Sequence, residues 1–246
     1  MLTYPMMGAL ALAILWVTTL LIAAAALKEL GPLRAVRRRA WERGVVARGD
    51  GPGAAIAVRR VEQVGRATDA GEVHFSDRAY TGEIFGGAVT LDSGGELAIE
   101  PTREAEVWPS ASALAGATSP PDGDALGAAL ALAKKPKGLP RSVEARLGVG
   151  DVVFVAPGAP TVSAIDPRAW AAKKAALVVA FTVAEISAAA LATAVALVPP
   201  AFGLVSKIGG ALCLAFFLGV QPLGTAVREA VRAPSRAALR GVWKSA

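Results

Sequence analysis

The chain has 246 residues, of which 54% are hydrophobic, so it can hold one modest folded domain together with several membrane-spanning helices. Its formal net charge is +6, but the central segment 49–132 carries five Arg against thirteen acidic residues. The basic residues gather instead beside the long apolar runs. This is the positive-inside pattern of membrane proteins, and it argues against a basic nucleic-acid-binding surface.

Residue types that hold metals or carry out covalent catalysis are scarce in this sequence. Cys213 is the one cysteine and His74 the one histidine, so no intramolecular disulfide can form and no Cys/His zinc site can be built. The sequence contains neither a Gly-rich phosphate loop nor a Gly-x-Ser-x-Gly elbow. We therefore expect a protein that is not an enzyme and that uses no cofactor and no metal.

The first apolar run covers residues 6–27 and contains no charge. Its 22 residues are enough to cross a hydrocarbon core of roughly 30 Å. A cleaved signal peptide would carry basic residues before its apolar region, whereas here the Arg cluster that begins at Arg34 follows it. The sequence therefore predicts an uncleaved transmembrane helix, with the amino terminus outside and the basic side in the cytoplasm.

Residues 40–167 are predicted to form a β-rich, small-barrel-like soluble domain. Val73 and Phe75 alternate with polar residues, which is the period of a half-buried strand. Residues 89–91 and 97–99 alternate in the same way and flank an Asp-Ser-Gly-Gly turn, which predicts a β-hairpin. Further strands are expected at 152–155 and, from weaker patterns, at 45–47 and 56–61.

The segment between the hairpin and the last strand has a different composition. Residues 109–124 are rich in Ser, Ala, Gly and Pro and predict a loop. Residues 125–135 are rich in alanine and predict a short helix that ends before Pro136. The basic run at its end either lies against anionic headgroups or forms a solvated loop, and the sequence leaves both open. This run is Lys134, Lys135, Lys137 and Arg141.

Two further apolar runs, 175–198 and 201–222, meet at two prolines and predict a transmembrane hairpin. The tail, 223–246, carries Arg at every fourth position and predicts a basic amphipathic segment on the inner leaflet. Basic residues flanking the apolar runs are the candidate contacts with the membrane surface. They are Arg37, Arg38, Arg39, Lys134, Lys135, Lys137, Arg228, Arg232, Arg236 and Arg240.

Glu185 is the candidate functional or contact residue within the membrane. It lies about ten residues inside the first run of the hairpin, where an ionised carboxylate costs several kcal/mol unless it is neutralised or paired. With a rise of 1.5 Å per residue, Lys207 in the second run lies about 10 Å away in depth, which is too far for a direct ion pair. A helix or subunit contact and a transport site both stay open for Glu185.

Two segments of the soluble domain resemble the GIDE domain of membrane-bound ubiquitin ligases and their bacterial homologues. They are FGGAVTLDSGGELAIEP (85–101) and EARLGVGDVVFV (144–155). Small barrel domains of the NfeD type share the Gly-Asp-Val-Val turn. The resemblance implies a β-rich domain over roughly residues 40–165 with transmembrane helices on both sides. Ligases of that family end in a RING domain with eight Cys/His ligands, which this chain cannot supply, so ligase activity is not implied.

The sequence thus predicts an α+β membrane protein with three transmembrane helices and a cytoplasmic β-rich domain between helices 1 and 2. Its Ala, Arg and Gly content suggests a bacterial inner membrane, with the carboxyl terminus in the cytoplasm. The predicted function is a non-enzymatic scaffold or sensor that binds a protein or lipid partner, with anionic headgroups at its flanks and homo-oligomerisation open. The alternative is a small oligomeric transport or channel component that uses Glu185.

Overall fold

The computed structural model describes residues 4–67, 72–110, 112–113, 137–197, 204–236 and 241–244. The chain is divided into two compact units. A helical unit consists of Met1–Arg38 and Arg168–Arg232, and a β unit consists of Arg39–Pro167 and Ala233–Ala246. The predicted α+β class with a β-rich domain is therefore confirmed, and the β unit also takes in the end of the chain.

Four helices build the helical unit, namely α1 (Tyr4–Lys28), α2 (Leu30–Arg38), α3 (Pro167–Leu197) and α4 (Leu204–Ala230). Asp166 and Pro167 stand at the start of α3, which is the usual order of an N-cap followed by a proline at the first helical position. Pro222 lies inside α4, which helices in apolar surroundings tolerate when neighbours satisfy the freed carbonyl.

Two buried clusters establish the relative directions of these helices. Leu15 of α1 packs with Ala189 and Ala192 of α3. The later part of α1 and α2 packs with the start of α3 and the end of α4, in a cluster of Ala26, Leu33, Ala171, Val178 and Val231. Thus α3 is antiparallel to α1 and α4 is parallel to it.

Two helical segments among the described residues are long and apolar enough to cross a membrane, Leu12–Arg38 and Pro167–Val195. Length and composition are the basis for this statement, and core helices and signal sequences can share them. The third predicted span, 201–222, coincides mostly with α4, but 201–203 lie outside the described residues. That third span stays a prediction.

The first sheet of the β unit has six strands in the order β5-β4-β1-β9-β10-β7. All neighbours are antiparallel except β10 and β7, which are parallel. The strands are β1 (Glu42–Gly49), β4 (Gly87–Leu91), β5 (Glu96–Ile99), β7 (Glu106–Trp108), β9 (Val152–Val155) and β10 (Thr161–Ser163).

The second sheet has the order β11-β3-β2-β8, with the short β6 paired to the end of β3. Its strands are β2 (Ala55–Ala67), β3 (Glu72–Ile84), β6 (Thr102–Arg103), β8 (Lys137–Gly148) and β11 (Gly241–Lys244). The last strand comes from the end of the chain and pairs antiparallel with the start of β3.

One apolar core joins the two sheets. Val46, Val89 and Val153 project into it from the first sheet, and Ile56 and Leu147 from the second. Burial alternates along β1, β8 and β9, as expected for strands with one face inward, whereas Ile56 and Val89 lie in continuous buried stretches of β2 and β4. Trp41 and Trp108 pack at one side with their ring centroids 6.2 Å apart.

Several strand predictions are confirmed. The 89–99 hairpin is the β4–β5 pair, 152–155 is β9, and the weaker patterns at 45–47 and 56–61 lie within β1 and β2. The predicted loop at 109–124 lies mostly, and the predicted helix at 125–135 entirely, outside the described residues.

Two expectations were wrong. Lys137 and Arg141 do not lie in a loop, because both belong to β8. The tail does not form an amphipathic segment free to lie on a membrane along its length, since Pro234–Arg236 is a short 3-10 helix and Gly241–Lys244 is a strand of the second sheet. The physical reason is the exposed edge of β3, which supplies backbone partners that outweigh the tail's weak helical pattern.

Candidate functional site

A cleft of about 740 Å³ lies beside β3 in the β unit. Its walls are Tyr80–Glu83 of β3, Arg103–Val107 and the 3-10 helix residues Ser235 and Arg236, with Arg59 of β2 also contributing. We call it the β3 cleft. A second cleft, of about 450 Å³, lies between residues 97–102 and 155–162 and is lined mainly by apolar and small side chains.

The β3 cleft carries charges of both signs. Arg59, Arg103 and Arg236 are its basic lining residues. Its acidic lining residues are equal in number, namely Glu83, Glu104 and Glu106. A site with balanced charges favours a ligand that itself carries both signs, because a purely anionic or cationic ligand meets three like charges.

Arg59 is the charged residue most deeply placed at the cleft, with 1% of its surface exposed. Its guanidinium donates a hydrogen bond to the Pro234 carbonyl oxygen over 2.6 Å, which ties the 3-10 helix to β2. Burial lowers the pKa of Arg59, and Asp77 and Tyr80 oppose that shift. An arginine nevertheless stays protonated, so Arg59 gives the cleft a permanent positive charge.

A partly buried network of polar side chains lies further along the same sheet. The Gln63 amide donates to an Asp77 carboxylate oxygen over 2.8 Å, and Arg141 donates to the Gln63 carbonyl oxygen over 2.7 Å. Arg141 also lies 3.7 Å above the Phe75 ring, within the range of a cation–π contact. Burial lowers the pKa of Arg141. These contacts join β2, β3 and β8 through side chains as well as backbone.

The wall of the cleft includes an unusual backbone conformation. Glu104 has a φ of +63°, a left-handed conformation that side chains other than glycine adopt rarely. The next residue, Ala105, donates its N–H to the Gly82 carbonyl over 2.8 Å. A β-carbon at Gly82 would collide with the Ala105 carbonyl oxygen, so glycine is required for this close approach. Strain of this kind persists where the surrounding contacts hold it, often at binding sites.

Glu144, from the second segment of the GIDE resemblance, takes part in a surface ion-pair network. Its carboxylate lies 2.6 Å from a terminal nitrogen of Arg60 and 3.1 Å from one of Arg146. Hydrogen bonds from Arg60 and then Arg146 lower the pKa of Glu144. The network links β2 to β8 and does not line the β3 cleft.

Glu185 lies inside the helical unit. It is 4% exposed and lies on the buried side of α3 with Val178, Thr182 and Ala189. Neither of its carboxylate oxygens has a hydrogen-bond partner within the described part of the chain. The helix or subunit contact predicted for Glu185 stays a prediction. The transport alternative stays a prediction.

The predicted membrane-surface residues are dispersed. Arg37 and Arg38 are exposed on the last turn of α2, and Arg39, which begins the β unit, lies 3.5 Å from the Thr161 hydroxyl. Lys137 is the first residue of β8. Lys134, Lys135 and Arg240 lie outside the described residues.

The predicted tail residues divide between the two units. Arg228 on α4 lies 3.8 Å from a Glu29 carboxylate oxygen, and Arg232 is exposed after that helix. Arg236 lines the β3 cleft. Sequence reasoning grouped these residues as one membrane-binding stripe, and it missed Arg59, whose role depends on a carbonyl 175 positions away along the chain.

Metal-ligating residues do not gather anywhere in the described ranges, since no group of three or more His, Cys, Asp or Glu side chains could hold an ion there. Comparison with known proteins gives no match to a family model, a curated protein or a solved structure. The GIDE resemblance therefore stays a prediction from two motifs. The functional argument rests on the geometry of the β3 cleft and of the helical unit.

Proposed function

We propose that this chain is a membrane-anchored, non-enzymatic scaffold or sensor whose β unit binds a protein partner at the β3 cleft. The observation that carries the proposal is the cleft itself, in which Arg103, Arg236 and three glutamates accompany the buried guanidinium of Arg59. A peptide segment with both acidic and basic side chains complements that arrangement. An anionic lipid headgroup would meet three glutamates, so a protein is the better partner.

The surface of the helical unit supports the membrane anchor. Large apolar side chains such as Leu21, Val183, Leu191 and Leu218 are exposed on it. Exposed apolar surface of this extent is costly in water but expected in lipid. Meanwhile Thr19, Thr182 and Glu185 are buried inside, an arrangement that suits a unit surrounded by hydrocarbon.

The charged helix ends support the proposed orientation at a bacterial inner membrane. The end of α2, the start of α3 and the end of α4 lie at one end of the helical unit, since Leu33, Ala171 and Val231 share one cluster. Apart from Lys207 near the start of α4, the basic residues of these helices gather at that end, namely Arg34, Arg37, Arg38, Arg168, Lys173, Lys174, Arg228 and Arg232. By the positive-inside rule, this end and the β unit attached to it face the cytoplasm.

Site-directed photo-crosslinking in native membranes tests the proposal. A benzophenone amino acid replaces Tyr80, which lines the β3 cleft and is 46% exposed. The matched control replaces Val149, which is 55% exposed in the β8–β9 turn and does not line the cleft. We expect one protein adduct from position 80, absent from position 149 and lost when Arg103→Glu reverses a charge in the cleft wall.

Mass spectrometry identifies the protein or lipid in each adduct, and that identity decides between the outcomes. The same protein adduct at both positions, or one that survives Arg103→Glu unchanged, would contradict binding at the β3 cleft. Adducts with lipid alone at position 80 would contradict a protein partner. Loss of the position-80 adduct with Arg103→Glu counts only if circular dichroism shows that the variant keeps its fold.

A further inference from the structure

We propose that Glu185 is a proton-binding site, held as a neutral carboxylic acid inside the helical unit. This inference does not depend on the proposed function, because it concerns the helical unit alone. It rests on three observations. They are the burial of the carboxyl group, the positions of the charged residues around it, and the two hydroxyl groups at its level.

Burial sets the preferred protonation state. Glu185 is 4% exposed, and neither Oε1 nor Oε2 has a partner among the described residues. An ionised carboxylate without a cation or hydrogen-bond donors is strongly disfavoured in apolar surroundings, so such groups neutralise instead. The same residue as a neutral acid needs only one acceptor for its O–H.

The level of Glu185 on the neighbouring helices follows from contacts on either side of it. On α1, Leu15 packs with Ala189. About two turns further on, Ile22 and Phe181 both lie beside Gly224 of α4. In an antiparallel pair with 1.5 Å rise per residue, Glu185 is therefore level with Thr19 of α1. By the same count it is level with Val220 of α4.

Charged groups on every packed helix lie far from this level. The nearest on α3 is Lys174, eleven residues earlier, which is roughly 16 Å along the axis. The α4 backbone places Lys207 thirteen residues before Val220, or roughly 20 Å. The remaining charges of the four helices and the α1–α2 turn lie at the other end, namely Lys28, Glu29, Arg34, Arg37, Arg38, Arg168, Lys173, Arg228 and Glu229.

Two buried hydroxyl groups share the level of Glu185. Thr182, one turn earlier on α3, donates to the Val178 carbonyl over 2.9 Å. Thr19 is fully buried and donates to the Leu15 carbonyl over 2.8 Å. Each hydroxyl thus donates its hydrogen bond within its own helix, and its remaining lone pairs can only accept hydrogen bonds. Neither hydroxyl therefore donates to an ionised Glu185 carboxylate, and neither forms a hydrogen bond with its oxygens within the described residues.

A hydrophobic carbodiimide is a chemical probe of this state. A carboxylic acid adds across the C=N bond of the reagent, so that its proton moves to nitrogen and its oxygen bonds to the central carbon. The acyl group then migrates from oxygen to nitrogen and leaves a stable N-acylurea. An ionised carboxylate lacks the proton for this step. The adduct mass equals that of the protein plus one reagent molecule.

The experiment treats the full-length chain in membranes with dicyclohexylcarbodiimide or with a water-soluble carbodiimide, followed by peptide mapping. We expect Glu185 to be labelled several-fold more by the hydrophobic reagent. Labelling should persist at pH values where exposed carboxylates are fully ionised, and it should vanish in Glu185→Gln. Glu229, exposed at the end of α4, is the matched control and should show the opposite reagent preference.

Two results would overturn the inference. One is equal labelling of Glu185 and Glu229 by both reagents, which would place Glu185 in water. The other is absence of Glu185 labelling by the hydrophobic reagent at any pH, which would mean that the group is ionised or sealed by a cation. Glu185→Gln resembles the neutral acid in shape, so its thermal transition should match that of the natural chain, and a clear drop would indicate a structural charge.

Discussion

The helical unit and the β unit differ in where their large apolar side chains lie. In the β unit, valine, isoleucine and leucine fill a core between two sheets, and ion pairs such as Arg60–Glu144 lie at the surface. In the helical unit, leucines cover the outside while Thr19 and Glu185 lie within. Burial of apolar groups stabilises a protein only against water. The difference is what the proposed membrane anchor predicts, with water around the β unit and lipid around the helical unit.

A charge placed in the core of the β unit should have the largest effect. Val153 on β9 is fully buried, whereas its neighbour Val152 is 40% exposed. An unpaired Asp at position 153 should cost about 4 kcal/mol or more, a large part of the 5–15 kcal/mol that stabilises a typical domain. Limited proteolysis of the full chain in membranes should then cut the β unit while the helices stay protected.

Val152→Asp is the matched control for that comparison. It introduces the same charge one residue away, on the face of β9 that points out of the core, and should leave the protease pattern unchanged. Equal sensitivity in both variants would mean that the β unit lacks the water-facing surface described above. Protection in both would contradict the core that joins the two sheets.

The contact between Arg59 and the tail should give an intermediate effect. Arg59→Met keeps most of the side-chain volume but leaves the Pro234 carbonyl without this donor. Loss of a hydrogen bond from a charged donor costs about 2 kcal/mol, which corresponds to an about 30-fold loss of hydrogen-exchange protection for β11 and the start of β3. Arg60→Met is the control, because Arg60 is exposed and pairs with Glu144. Equal loss of protection in both variants would contradict the role of Arg59.

The strands that sequence predicted were those with complete local signals. β9 has a continuous apolar run after a Gly-Asp turn, and the β4–β5 hairpin has its Gly-Gly turn between alternating strands. β8, which contains Pro140, was missed because its basic run suggested a loop, although Val143, Ala145 and Leu147 alternate inward. A proline is tolerated there because β8 is the last strand of its sheet.

The tail and the β3 cleft could not be predicted because they depend on contacts distant in sequence. Gly241–Lys244 becomes a strand only where the edge of β3 accepts it. The sequence pattern alone predicts an exposed position on a strand for Arg59, because its hydrogen-bond partner, the Pro234 carbonyl, is distant along the chain. Glu185, by contrast, was identified from the sequence alone, since one carboxylate in a long apolar run needs an explanation in any fold.

The surface network of Glu144 should give the smallest effect, and a dependence on pH. Hydrogen bonds from Arg60 and Arg146 hold the pKa of Glu144 below its usual value of 4.5. A carboxyl group with a depressed folded pKa contributes stability above the unfolded pKa and loses it as pH falls through the folded pKa. Because the pair is partly exposed, the contribution should stay below about 1 kcal/mol.

Thermal unfolding of the full chain at neutral and acidic pH should therefore show Glu144→Gln slightly less stable at neutral pH and equal to the natural chain in acid. A larger loss in acid than at neutral pH would have the wrong sign for a surface ion pair and would place Glu144 in a buried environment, which is the arrangement that the helical unit reserves for Glu185.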